Sequence, residues 1–242
     1  MPECKLNIKL RKILNVFVEN IKNAFKENLV SVILYGSASS GEFIDKHSDI
    51  NVLVVLKSID LANLKMVSGL INKPKFRLIQ PLFFTEGYIR SSTDVFPIEF
   101  LDMKENYTVL AGVDILKDLV IDLKNLRFQC EQELRVKLIA LRQFYLSKNK
   151  DKSALSDFLF KSFNSIMHIL RNVLRLKGEQ PPYLKQDILN CIAAEFHIDK
   201  DTWVEILSAK NKQKKLNRLE LERLFINFVG DLEGIINVID RL

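Results

Sequence analysis

Cysteine and histidine are scarce in this chain. Cys4, Cys130 and Cys191 form no Cys-x-x-Cys pair, and the histidines are His47, His168 and His197 alone. A disulfide framework and a structural zinc site are therefore not expected, and the thiols read as buried or unpaired groups of a cytoplasmic protein. Long apolar runs are missing too. The aliphatic stretches fall far short of the ~20 residues that span a bilayer, so no membrane partner is expected. Residues 1–12 hold scattered basic residues but no continuous apolar segment, so no secretory leader is expected either. The single tryptophan, Trp203, reads as core packing. No internal repeat or low-complexity segment is present.

What the 242 residues do contain is 48% apolar and 27% charged side chains, an ordinary globular balance that can bury a full core. The net charge of +6 is uneven. Residues 1–120 carry 15 Lys and Arg against 14 Asp and Glu, and the remainder 21 against 16. Part of that excess is the run Lys210, Lys212, Lys214, Lys215 and Arg218. Such a run reads first as a solvated face. Nucleic-acid binding is the weaker reading, because no interleaved aromatics offer a stacking platform.

Leu6, Leu10, Ile13, Leu14, Phe17, Ile21 and Phe25 recur at helical spacing and predict an opening amphipathic helix. Val30–Tyr35 and Asp49–Leu56 predict two buried strands. Leu61–Ile71 returns to helical spacing and stops at Asn72-Lys73-Pro74. Phe76–Thr85 is expected to be a third strand, a short segment at Glu86–Ser92 follows, and Pro97–Asp102 is expected to be a fourth strand. Beyond about residue 120 only helical stripes appear: Leu126 to Tyr145, Leu155 to Val173, Leu184 to Phe196, Thr202 to Ala209 and Leu219 to Ile239. The expected fold is α+β. A mixed sheet with flanking helices occupies residues 1–120 and an antiparallel helical bundle residues 121–242, the boundary falling between Leu116 and Leu126.

The chemistry concentrates where the first strand ends. Tyr35-Gly36-Ser37 is followed by Ser48-Asp49-Ile50-Asn51 and the run Val52-Leu53-Val54-Val55-Leu56. A glycine there lets the backbone turn and approach a phosphate closely, and Ser37 adds a hydroxyl and an N–H. Asp49 and Asn51, two apart on a strand, point to one face. Glu99, charged between apolar neighbours, is the best candidate for a further carboxylate from a neighbouring strand, with Asp102 as fallback on the opposite face.

This layout resembles the nucleotidyltransferase superfamily, which includes polymerase-β-like and kanamycin nucleotidyltransferase-like proteins. Its signature is Gly-Ser, a spacer, then Asp-x-Asp, with a third carboxylate on a later strand. The resemblance implies a nucleotide held by Gly36, Ser37 and Ser48. It also implies Mg²⁺ entering with a nucleoside triphosphate, held by Asp49, Asn51 and Glu99, with Asp49 and Glu99 catalytic. The reaction implied is transfer of a nucleoside monophosphate to a hydroxyl acceptor, on a small molecule, a protein or RNA. A homodimer is compatible with it. Asn51 departs from the signature, because an amide oxygen can coordinate a metal but brings no charge. The alternative is therefore a degenerate member that binds a nucleotide or partner without turnover. His47 reads as an exposed loop residue, and His168 as part of a polar helix face with Lys161, Asn164, Ser165 and Arg175.

Overall fold

The computed structural model describes residues 7–40, 49–178, 180–182 and 184–242. The chain divides into two compact units, Met1–Asp122 and Leu123–Leu242.

In the first unit, α1 (Ile8–Phe25) begins at Asn7, whose side chain accepts from the Leu10 N–H at 2.9 Å. This satisfies one of the amides that a helix start leaves without an intrahelical partner. Its buried residues Leu10, Leu14, Phe17, Val18, Ile21 and Phe25 follow the three-and-four spacing seen in the sequence. Strand β1 (Leu29–Tyr35) leads into a one-turn helix α2 (Ser37–Ser40), and β2 (Ile50–Leu56) follows. Helix α3 (Leu61–Ile71) is capped by Asp60, whose side chain accepts from the Asn63 N–H. Strand β3 (Ile79–Thr85), α4 (Glu86–Ser91), α5 (Pro97–Glu105) and β4 (Tyr107–Gly112) complete the unit. The sheet order is β3-β2-β1-β4, with β2–β3 parallel and the other pairs antiparallel.

The fourth strand is where the sequence expectation fails. Pro97–Asp102 is not a strand but most of helix α5, and the fourth strand is Tyr107–Gly112. Pro97 sits in the first helical turn, where its missing N–H costs nothing and its fixed φ suits a helix. Pro97, Ile98, Phe100 and Met103 are the buried residues. Ile98-Glu99-Phe100 runs buried, exposed, buried, which suits a strand as well as a helix, and the adjacent burial of Pro97 and Ile98 together with Met103, one turn further, separates them.

Both faces of the sheet are covered. One face packs Val32, Leu34, Val52 and Val54 against Leu14, Phe17 and Ile21 of α1. The other packs Ile33, Leu53 and Val55 against Ile89 of α4, Phe100 and Met103 of α5, and Leu116. Each strand thus alternates between two apolar layers, which explains the near-continuous apolar reading of β2.

Among its described residues the second unit is built of helices with no strand: α6 (Leu123–Lys148), α7 (Lys152–Leu176), α8 (Lys185–Phe196), α9 (Lys200–Lys210) and α10 (Arg218–Ile239). Trp203 is fully buried against Phe163 and Phe228, and its indole N–H donates to Asp231 Oδ2 at 2.8 Å. The sequence reading of this residue as core packing holds. The basic run is partly neutralised within the unit. Lys214 pairs with Glu205 at 2.6 Å, and Arg218 pairs with Glu222 at 2.8 Å while donating to the Asn149 and Lys150 carbonyls. Among the described residues no helix is long and apolar enough to cross a membrane.

Candidate functional site

Gly36 takes φ +73°, a left-handed conformation that favours glycine, and a Cβ there would stand 3.3 Å from Asn51 Nδ2. The turn and the Asn51 amide are therefore packed against each other. The Gly36 N–H donates to the Asn106 carbonyl at 3.1 Å, and the Gly36 carbonyl accepts from the Ser39 N–H at 2.9 Å. Ser39 Oγ lies 3.0 Å from Thr108 Oγ1 on β4. The strand missed in the sequence is thus what anchors the Gly-Ser turn. Ser37 is the first residue of the one-turn helix α2.

The strand register assembles the rest. Asn51 is the direct partner of Tyr35 on β1 and of Gln80 on β3, and Tyr35 is the partner of Tyr107 on β4. Partners in register project to one face, so Gln80, Asn51, Tyr35 and Tyr107 form a single row across all four strands. The next row on that face is Leu82, Leu53, Ile33 and Val109, all part of the apolar layer. One step along the strands, the sheet changes from a dry core to polar-tipped side chains. Asp49 lies one residue before β2 and is exposed.

Every member of this row is neutral near pH 7. Burial raises the Tyr35 phenol above its ordinary value. Tyr107 is pushed up to about 12, first by burial and then by its hydrogen bond to Asp114, whose Oδ2 accepts from the Tyr107 hydroxyl at 3.0 Å. The neighbouring charges of Asp114 and Asp118 act in the same direction. Both phenols remain protonated donors.

Glu99 is not on a strand beside β2. It is exposed in the first turn of α5, and the alternation argument that selected it does not apply. Asp102 follows it on the same helix, three residues on and so on a shared helical face, where the strand reading had separated them. The strand position beside Asn51 belongs instead to Gln80. Its sequence signal was available: Gln80 is the one amide in Leu78-Ile79-Gln80-Pro81-Leu82-Phe83-Phe84, the same kind of polar interruption that drew attention to Glu99. Ser48 and His47 lie outside the described residues.

This donor set does not fit a resident pair of magnesium ions. Among the described residues of this row and its edge Asp49 supplies the only formal charge, and Asn51 and Gln80 offer amide oxygens, whereas divalent ions of this hardness are held chiefly by carboxylates and phosphates. Among the described residues no group of three His, Cys, Asp or Glu side chains comes together to hold a metal. Calorimetric titration of the protein with MgCl₂ in the absence of nucleotide is accordingly expected to give no binding tighter than about a millimolar dissociation constant. Micromolar binding of two ions would contradict the charge argument. A surface cavity of about 260 Å³ lies beside Gln80 and is lined by Lys73, Pro74 and Arg77 as well, so two cations border this end of β3.

No protein-family model and no curated protein matches the sequence. The fold does match a solved structure. Spectinomycin adenyltransferase AAD(9) from Enterococcus faecialis, crystallised with ATP and spectinomycin, superposes with a TM-score of 0.55 at 15% identity, covering 90% of this chain and 98% of that one. The likeness extends well past the sheet into the helical half. The likeness shows that this chain shares its α+β fold with that adenyltransferase, and among the described residues one carboxylate and two amides stand where strands β2 and β3 meet.

Proposed function

We propose that the first unit binds a nucleoside triphosphate at the Gly36–Ser37 turn and holds it without a resident metal centre, acting as a nucleotide-binding module of nucleotidyltransferase type. The observation that carries this reading is the neutral row Gln80–Asn51–Tyr35–Tyr107 beside a retained Gly-Ser turn. Gly36 and Ser37 supply the close backbone approach that a phosphate needs. Lys73 and Arg77 flank the same end of the sheet and favour polyanions over neutral ligands. The phenols and amides of the row offer hydrogen bonds without repelling phosphate, as three carboxylates lacking their metals would.

A second reading is kept by two specific observations. Asp49 remains at the head of β2, and the fold likeness to AAD(9), which was crystallised with ATP and spectinomycin, covers both units. Under that reading the protein transfers a nucleoside monophosphate to a hydroxyl acceptor. Pyrophosphate release separates the two. Binding of nucleoside triphosphate by the wild type is expected to fall at least ~tenfold in Gly36→Ala, because the side chain strains the turn and crowds Asn51. Under the binding reading, labelled α-phosphate stays in the nucleotide in wild type and in Asp49→Ala alike. Release of pyrophosphate that Asp49→Ala abolishes would replace the binding reading with the transferase one. Undiminished nucleotide affinity in Gly36→Ala would remove the site itself.

A further inference from the structure

Helices α6 and α10 run antiparallel, side by side, in the second unit. Arg127 Nη1 donates to the Ile239 carbonyl at one end, at 3.4 Å, and Arg218 reaches the Asn149 and Lys150 carbonyls at the other. Between these ends Arg142 pairs with Glu233, and the Tyr145 and Phe225 rings stack at 5.2 Å. The outer side of this helix pair is apolar. Leu146 is 81% exposed and Ile226 59%, and Ile139 and Leu219 are exposed as well. Ile139 and Leu146 are seven residues apart, as are Leu219 and Ile226, so each pair shares a helix face. Leu146, Ile226 and Val229 join the two stacked rings and Arg142 around a surface cavity of about 390 Å³.

The charges beside this strip are sorted by helix. From Leu134 to its end at Lys148, α6 carries Arg135, Lys137, Arg142 and Lys148 and no acid. From Leu219 to Glu233, α10 carries Glu220, Glu222, Asp231 and Glu233 against Arg223 alone, which is bound to Glu205 of α9 at 2.6 Å. Arg142 and Glu233 stay about half exposed beside their shared ion pair, so each has an open side. A partner of one charge sign, whether a basic helix or an anionic lipid surface, would meet its own sign along one edge. A second copy of this face, turned over, meets the opposite sign along both. Two-fold axes of two kinds could pair the faces. One parallel to the helices lays α6 on the partner's α10, with Arg142 over the partner's Glu233 and Leu146 over the partner's Ile226. One across them lays the basic stripe of α6 on itself, which charge disfavours.

We propose that the α6–α10 face is the interface of a two-fold dimer of this chain, α6 of each copy lying on α10 of the other. The proposal is independent of the nucleotide reading. The 22 residues of α10 set the length of the face, ~33 Å, and two neighbouring helices are ~20 Å across. Such a face hides about 650 Å² per copy and about 1,300 Å² in the pair, near the lower end of specific, stable interfaces.

The test is sedimentation equilibrium of the full chain at low ionic strength, from ~1 to ~100 μM, where a reversible monomer–dimer equilibrium is expected. Leu146→Glu and Ile226→Glu should each weaken the dimer at least ~tenfold. Both side chains are exposed in the single copy, so each variant should melt with the wild type. Leu64→Glu, at an exposed apolar position on α3 of the first unit, should leave the dimer unchanged. Arg142→Glu and Glu233→Arg each set like charges across the interface and should each weaken association by a similar factor. Mixed in equal amounts, the two variants should associate again, because each chain then offers the sign the other needs. Three results would overturn the proposal: a wild type that is monomeric at ~100 μM, a dimer that survives both glutamate variants unchanged, or a mixture no more associated than its components. Ile226→Glu keeps the test open if Leu146→Glu fails to fold.

Discussion

Asn51→Asp combined with Gln80→Glu is expected to raise the affinity of the first unit for Mn²⁺ or Mg²⁺ by on the order of a hundredfold. The two positions are direct partners in the parallel β2–β3 register, so the introduced carboxylates would face the same side of the sheet beside Asp49. Among the described residues the wild type has one charge at this place. The double variant has three, enough to compete with the hydration shell of a hard divalent ion. Each single variant should gain less than half of the effect in free energy, because the added charges act on a shared ion. Isothermal titration of the four proteins with MnCl₂ measures this directly. A double variant that binds metal no better than the wild type would show that the two side chains do not converge, and would sink the row as the site. The accompanying cost is a stability loss at neutral pH without metal, from like charges placed side by side.

Gly112→Ala is expected to destabilise the first unit by about 3 kcal/mol or more. Gly112 ends β4 with φ +80°, and a Cβ there would overlap the Val30 carbonyl oxygen and crowd Ser31 Cα, both backbone atoms of β1 that cannot turn aside. The effect should reach the site. Asn106 and Thr108, at the other end of this segment, hold the Gly36 turn through its N–H and through Ser39. Urea denaturation followed by circular dichroism gives the stability, and nucleotide titration of the folded fraction gives the site. Gly69→Ala is the control, because nothing lies within 4 Å of a Cβ at that helical position. It should leave stability unchanged or raise it slightly. Equal stability of Gly112→Ala and wild type would mean that the β1–β4 register differs from the one described.

Local pattern was enough for the elements whose signal is long. The spacing of Leu10, Leu14, Phe17, Ile21 and Phe25 specifies α1, and the β-branched runs specify β1 and β2. Gly36 could be recognised for the same reason: a left-handed residue at a strand end accepts little else, so the chemistry of a single position betrays the turn. The helical character of the second half was equally plain, since amphipathic stripes of 25 or so residues leave no competing period.

What only the tertiary structure decided is which residues meet. Glu99 was selected on three residues of alternation, too few to separate a period of 2 from one of 3.6, and Pro97 in the first turn resolves it as helix. Tyr107–Gly112 went unread because all its residues but Gly112 are half-buried, so its mixed pattern has meaning only once β1 lies beside it. Gln80 looked like any polar residue in a strand until the parallel register with β2 set it next to Asn51. The sequence determined a fold class, a turn and a motif with one missing carboxylate, because these are properties of single positions and short periods. The placement of the Gln80 amide beside Asn51, and the neutral row it completes, are properties of pairing between segments dozens of residues apart, and no local period encodes such pairing.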